Sequence, residues 1–186
     1  MRNTLILLLL LVAAPLHSET HQAATLEASR SLAQSFAQQL GSALRTALAN
    51  GGPEQAILVC RDQAPLIAST LARQSGAQIS RTSRRFRNPL NAPQPWQEEI
   101  LTQYFEPTAQ ATDKRIEYYA VKDDTVRYMQ AIRLGGICAV CHGQTIPASV
   151  QTVLDREYPH DRARGYVLNE LRGAFSISWP VHPIPP

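Results

Sequence analysis

Residues 115–143 read Arg115-Ile116-Glu117-Tyr118-Tyr119-Ala120-Val121, Lys122-Asp123-Asp124, Thr125-Val126-Arg127-Tyr128-Met129-Gln130-Ala131-Ile132-Arg133-Leu134, then Gly135-Gly136-Ile137-Cys138-Ala139-Val140-Cys141-His142-Gly143. The first and third segments are rich in β-branched and aromatic residues and read as two strands. The charged Lys122-Asp123-Asp124 stretch between them suits a turn, which makes the pair an antiparallel hairpin. The hairpin runs into a Gly-Gly pair and a Cys-x-x-Cys-His sequence.

Towards the N-terminus the pattern turns helical. Leu26, Leu32, Phe36, Leu40, Leu44 and Leu48 recur at the spacing of one buried stripe over Thr25 to Asn50. Asn50-Gly51-Gly52 ends that helix, and Pro53 suits the first turn of the next. Ala56, Cys60 and Ala64 then share one face. Pro65 opens a further turn, and Gly76 stops it. Ala77 to Thr82 reads as a strand. Prolines 89, 93 and 95 forbid a continuous helix. Trp96 to Phe105 reads as a short helix ended by Pro107. Beyond the hairpin, Pro147 to Tyr158 reads as helix. Gly173 to Trp179 reads as a last strand, with Phe175, Ile177 and Trp179 on one face, and the Pro-rich tail is expected to be irregular. Helices mixed with antiparallel strands make one α+β domain.

The bulk numbers agree. The chain has 186 residues, 44% hydrophobic and 18% charged, which suits one domain with a real core. Its net charge is +3, about +2 without Arg2, and it has no Lys/Arg run, so nucleic acid is not expected as a partner. Arg2, the apolar Thr4–Ala14 stretch and the break at Pro15, His17 and Ser18 resemble an export leader. Residues 1–18 are therefore expected to be a signal peptide and 19–186 a single domain in the periplasm. The alternative is an uncleaved leader, the one case in which this chain is expected at a membrane. No Cys lies near the cut, which excludes a lipoprotein.

Three cysteines is an odd number for an oxidising compartment, so one is free, shared between chains, or a ligand. Cys138-Ala139-Val140-Cys141-His142 has the attachment signature of c-type haem. Two thiols add across the two vinyl groups on one haem edge, and the next residue, His142, is held beneath the iron as proximal ligand. By residue frequencies such a pentapeptide arises by chance in about one chain in a thousand of this length. Zinc needs four ligands, and adjacent Cys141 and His142 suit one tetrahedral ion poorly. A redox dithiol or a disulfide would not need His142. One covalent haem c is the expected cofactor. Gly135 and Gly136 suit either a close approach to the macrocycle or an ordinary turn.

The candidates for the other side of the iron are Cys60, Met129, His160, His182, His21, water, or no ligand. Met129 in a strand reads as core, and the three histidines read as surface residues or as mobile. Cys60 lies among small residues that leave room for a flat group, but on pattern alone it reads as an inert buried thiol.

Several segments carry a family resemblance. They are Pro53 to Ala64 with Ala56-Ile57-Leu58-Val59-Cys60 and Ala64-Pro65; Ser80-Arg81-Thr82-Ser83; Arg87-Asn88-Pro89; Asn91-Ala92-Pro93; Trp96; Cys138 to Gly143; Gly165-Tyr166; and Arg172-Gly173-Ala174-Phe175-Ser176. Together they resemble the haem-binding PAS-like family of bacterial c-type cytochromes over nearly the whole expected mature chain. Its domains stand alone or form the extracytoplasmic sensor region of histidine kinases. The resemblance implies a PAS-like antiparallel sheet flanked by helices. It also implies His/Cys ligation, because Cys60 falls at the position of the ligating Cys. One departure is Gln97, where the family carries an acidic residue. A thiolate donates charge to ferric iron, so a low potential and a ligand change on reduction are expected.

Arg81, Arg84, Arg85 and Arg87 cluster ahead of the prolines. Arginine binds carboxylates bidentately, and haem carries two propionates. Arg81 and Arg87, in the family-like segments, are the expected propionate partners. Arg84 and Arg85 read as a solvated loop, and Asn88 and Asn91 as braces of the proline-rich segment. Tyr118, Tyr119, Phe175 and Trp179 read as core or pocket lining. The expectation is a monohaem cytochrome, not an enzyme, that senses redox state or a gas such as CO, NO or O2. No output module follows the domain, so it is expected to act through a separate redox or membrane signalling protein. One-electron transfer is the alternative, and a peroxidase-like enzyme ranks last.

Overall fold

A computed structural model describes residues 15–111 and 114–181. The expected leader falls largely, and His182 wholly, outside these residues. The first element, α1, spans Pro15–Ser75, a run of 61 residues interrupted at Gly52, which takes φ 70° and ψ −169°. This left-handed residue, favoured by the absence of a Cβ, divides the run where the sequence predicted, with Pro53 just after the break. Gly76, at φ 79°, ends the helix, and its N–H bonds to Ala72 O at 2.9 Å. No helix among the described residues is long and apolar enough to cross a membrane.

Four strands form one antiparallel sheet in the order β1-β4-β3-β2. They are β1 (Gln78–Thr82), β2 (Glu117–Lys122), β3 (Thr125–Arg133) and β4 (Leu171–Pro180). The β2–β3 hairpin closes in two residues, Asp123 and Asp124, both at positive φ (53° and 52°). Paired positive φ values at the two central positions match the right-handed twist of the strands, and Asp tolerates them.

The alternation of β4 sorts the core into two layers. Phe175 and Ile177 join Tyr128 beneath α1, against Ala33, Phe36, Ala64 and Leu71. The Phe36 and Phe175 rings lie 5.3 Å apart, tilted by 47°. Trp179 Nε1 donates to Ser29 Oγ at 2.9 Å and ties β4 to α1. On the opposite face, Ala174 and Met129 pack with Leu101, Phe105 and Ile116.

That second layer departs from expectation. The helical segment does not stop at Pro107. It starts as α2 (Pro95–Glu99), widens to a π turn at Ile100–Phe105, and continues as α3 (Glu106–Ala111). Glu106 N–H reaches back five residues to Leu101 O. The wide turn loosens the ladder where a proline ring would clash, so Pro107 is carried rather than breaking the helix. Gln97 is buried and works at both ends of its amide. Its Oε1 accepts from Gln94 N at 2.8 Å, and its Nε2 donates to Ser176 Oγ at 2.8 Å. An acid here would keep the first bond and accept from the serine hydroxyl, so the position suits either residue type.

Gly173 has φ 155°, and a Cβ there would lie 2.3 Å from Thr82 O across the β1–β4 pairing. Gly173→Val is expected to cost at least about 1–3 kcal/mol from backbone strain alone. A denaturant midpoint equal to that of the unsubstituted chain would count against this account of the sheet edge.

Candidate functional site

Strand β3 leads through Gly135 into α4 (Gly136–His142), the short helix that carries Cys138, Cys141 and His142. A Cβ added at Gly135 or Gly136 would meet no atom within 4 Å, so protein packing does not demand either glycine. Below α4 runs the strap from Tyr158 to Glu170. Tyr166 N bonds to His142 O at 3.0 Å, Gly165 N to Gly143 O at 2.9 Å, and Asn169 N to Leu134 O at 2.9 Å. Helix α5 (Ala148–Glu157) leads into the strap. It packs Val150 and Leu154 on Ile57 in the second half of α1.

Between α1, the β1–β4 edge and α4 lies a cavity of about 570 Å³ with mostly apolar walls, in the ordinary range for a cofactor site. Phe36, Leu40, Leu44 and Leu48 line it from the first half of α1, and Ala56, Cys60 and Ala64 from the second. Cys138, Cys141 and His142 line it from α4, and Phe175 from β4. Residues 78 positions apart, Cys60 and Cys138, thus open on one space. The other proposed ligands do not line it. Met129 is fully buried on the far face of the sheet, while His160 and His21 are exposed elsewhere. His182 lies outside the described residues.

The imidazole of His142 is oriented from behind. Its Nδ1 lies 2.7 Å from Ala163 O, a contact only a protonated Nδ1 can make, so Nε2 keeps its lone pair. Arg172 Nε is also near Nδ1, at 3.4 Å, but the carbonyl contact is much the shorter and fixes the tautomer. Burial, with Arg172 and Arg87 nearby, holds the ring well below its usual pKa and therefore neutral. Burial also pushes the Cys141 thiol up to about 11 and raises that of Cys138. A redox dithiol lowers a thiol pKa, so this pair has the opposite character. All three cysteines are free. Among the described residues no cluster of three or more His, Cys, Asp or Glu side chains could hold a metal ion.

The arginines separate into distinct environments. Arg84 is exposed and bonds to Glu98 and Glu106, each at 2.8 Å. Arg85 stacks 3.8 Å above the Tyr166 ring and pairs with Glu170 at 3.0 Å. Arg87 is buried, with Nε 3.2 Å from Asp161 Oδ1 and Nη2 bonded to Cys141 O at 2.5 Å and Ala163 O at 3.3 Å. It lines the cavity, but protein acceptors engage it. Arg81 lines the cavity 5.6 Å over the Phe36 ring. Arg172, to which the sequence assigned no role, lines the cavity as well. The missed signal was its place three residues before the cavity-lining Phe175, just ahead of Gly173. Asn88 Oδ1 caps the 3-10 turn Pro89–Asn91, and Asn91 O accepts from Ser83 N at 3.0 Å, so both brace the loop.

The arrangement offers one neutral imidazole and one thiol as iron ligands, two thiols for covalent attachment, an apolar cavity and cations at its edge. That donor set fits a haem. A crystal structure of the cyanobacterial haem-protein Tll0287 shares the fold, with a TM-score of 0.61 and 24% identity over 90% of this chain and 97% of that one. No curated protein matches the chain. The sequence pattern of the Tll0287-like family covers residues 16–180, from α1 through the last residue of β4. The chain belongs to the Tll0287-like family.

Proposed function

We propose that this chain is an exported monohaem c-type cytochrome built on a PAS-like domain, which senses redox state or a diatomic gas in the periplasm and signals through a separate partner. Cys138 and Cys141 would make the covalent links, and His142 and Cys60 would hold the iron. The reading is carried by one observation: the Cys-x-x-Cys-His helix and Cys60 line the same apolar cavity, with His142 Nδ1 held on Ala163 O. The family and the fold shared with a haem-protein support it. Export rests on the leader alone.

Bound haem would supply one-electron redox chemistry. The residues of the chain do the rest. Ala163 O fixes the imidazole, Arg87 ties Cys141 to the strap, and Phe36, Leu40 and Phe175 exclude water. With His142 and Cys60 both holding the iron, a substrate would find no open site on it, and so the reading is not that of an enzyme. A simple electron carrier would keep both ligands in both oxidation states, whereas a sensor changes ligand or shape on reduction.

The test is expression with the cytochrome c maturation machinery, followed by haem staining after denaturing electrophoresis and low-temperature EPR of the ferric protein. Covalent haem with a low-spin signal of narrow g-spread is expected. A broad His/Met or His/His signal would sink Cys60 as ligand. No retained haem would sink the whole reading.

A further inference from the structure

Four arginines line the cavity, of which Arg133 turns its Nη1 away to Ala109 O at 3.1 Å and Asn169 O at 2.9 Å. Asp161 answers Arg87. Arg172 donates from Nη1 to Ser83 Oγ at 2.9 Å and Arg85 O at 3.2 Å, while Ser83 Oγ donates back to Arg172 O at 2.7 Å. Neutral oxygens hold it in place, and no carboxylate among the described residues is within ion-pair distance. Arg81 has no hydrogen bond or ion pair to any described residue, only the Phe36 ring at 5.6 Å. Burial lowers the pKa of both guanidiniums, and Arg87 and Arg81 add repulsion at Arg172. Both nevertheless stay charged, because a guanidinium does not lose its proton in proteins. Half-buried cations without anions are unfavourable, and a ligand with two negative charges in this cavity would answer both.

We infer that Arg81 and Arg172 form a two-guanidinium clamp for the two carboxylates of a flat ligand, which on the function proposed above are the two haem propionates, one to each arginine. Arg81 brings five free N–H donors and suits a bidentate contact. Arg172 brings its Nη2 on a pre-set side chain. Arg87 lies outside the clamp and serves the attachment segment, so Arg172 takes the place the sequence gave to Arg87. The clamp rests on the haem reading for the identity of its ligand, and its count of two charges comes from the cavity itself.

The test compares the holoprotein with Arg81→Gln, Arg172→Gln, Arg81→Lys and Arg172→Lys. Resonance Raman reads the propionate bending modes, and potentiometry reads the ferric-to-ferrous ratio. Each Gln variant is expected to shift one propionate mode and to move the ratio about tenfold towards ferric at fixed ambient potential, since a nearby cation is lost. Each Lys variant is expected to keep the ratio and still shift the mode, because an ammonium lacks the planar fork. If a Gln variant does not accumulate as holoprotein, the mode shift of its Lys counterpart decides. Unmoved modes in the Lys variants, or in Gln variants with full haem content, would overturn the clamp and leave the cytochrome reading intact. An unsubstituted chain that takes up no covalent haem would overturn that reading and the clamp with it.

Discussion

Asp161→Ala is expected to lower folding stability by about 3–5 kcal/mol, the cost of leaving a buried charge without its partner. The side chains of Arg87 and Asp161 are 7% and 2% exposed, so solvent cannot replace the lost contact. Asp161 also accepts from Ala163 N and Arg164 Nε, each at 2.8 Å. It therefore shapes the turn whose Ala163 O takes the His142 proton donor. Loss of the carboxylate should free that carbonyl and cut the yield of haem-loaded protein together with stability. Burial pushes the Asp161 carboxyl up, but Arg87, Arg164 and the Ala163 amide outweigh it and hold the group below its usual value. A lowered folded pKa gives stability that is full above the unfolded value of about 3.9 and lost as pH falls through the folded one. The stability gap between the unsubstituted chain and Asp161→Asn should therefore be flat around neutrality and close only in strong acid. Urea unfolding across pH checks both statements. A loss under about 1 kcal/mol at pH 7 would show that the pair does not organise the strap.

Cys60→Ala is expected to have the largest effect on the proposed iron site. Cys60 is half-buried among Ala56 and Ala64 in the cavity wall, and the alternative protein ligands Met129, His160 and His21 do not line the cavity. Among the described residues, none of those other candidates is placed to replace the thiol. The ferric protein should turn from low-spin to high-spin, and the ferrous protein should bind CO readily. Loss of an anionic donor removes stabilisation of the ferric form, so the potential should rise. A change of more than tenfold in the ferric-to-ferrous ratio is expected, which is about 59 mV for a one-electron couple. Cys60→Ala protein that stays low-spin with an unchanged potential would refute thiolate ligation and favour a carrier with another ligand. Stability should fall little, because a partly exposed thiol beside two alanines loses few contacts on truncation.

How much of this was legible in the chain depends on the range of the interaction concerned. The hairpin at 117–133 was readable because strand alternation and a two-residue turn are local. The break in α1 at Gly52, its stop at Gly76 and the last strand were readable for the same reason. The route past Pro107 was not, because the π turn that carries it reflects packing of Leu101 and Phe105 on the sheet. For Arg87, sequence shows the charge and hides its partner. Asp161 lies 74 positions away.

By itself the sequence carried the proposal of haem attachment at Cys138, Cys141 and His142, and it determined the α+β class and the positions of most element boundaries. Each is a matter of residues within a few positions of one another. Tertiary structure decided which other residues meet that segment. A strand turns successive side chains to opposite faces, so one step in register separates Tyr128 beneath α1 from Met129 on the far side. The same long-range packing set Cys60 across from α4, gave Arg87 its carboxylate, and left Arg81 and Arg172 facing the cavity without one among the described residues. Local propensity sets where a side chain can point, and only the burial of the whole chain fixes what it meets there.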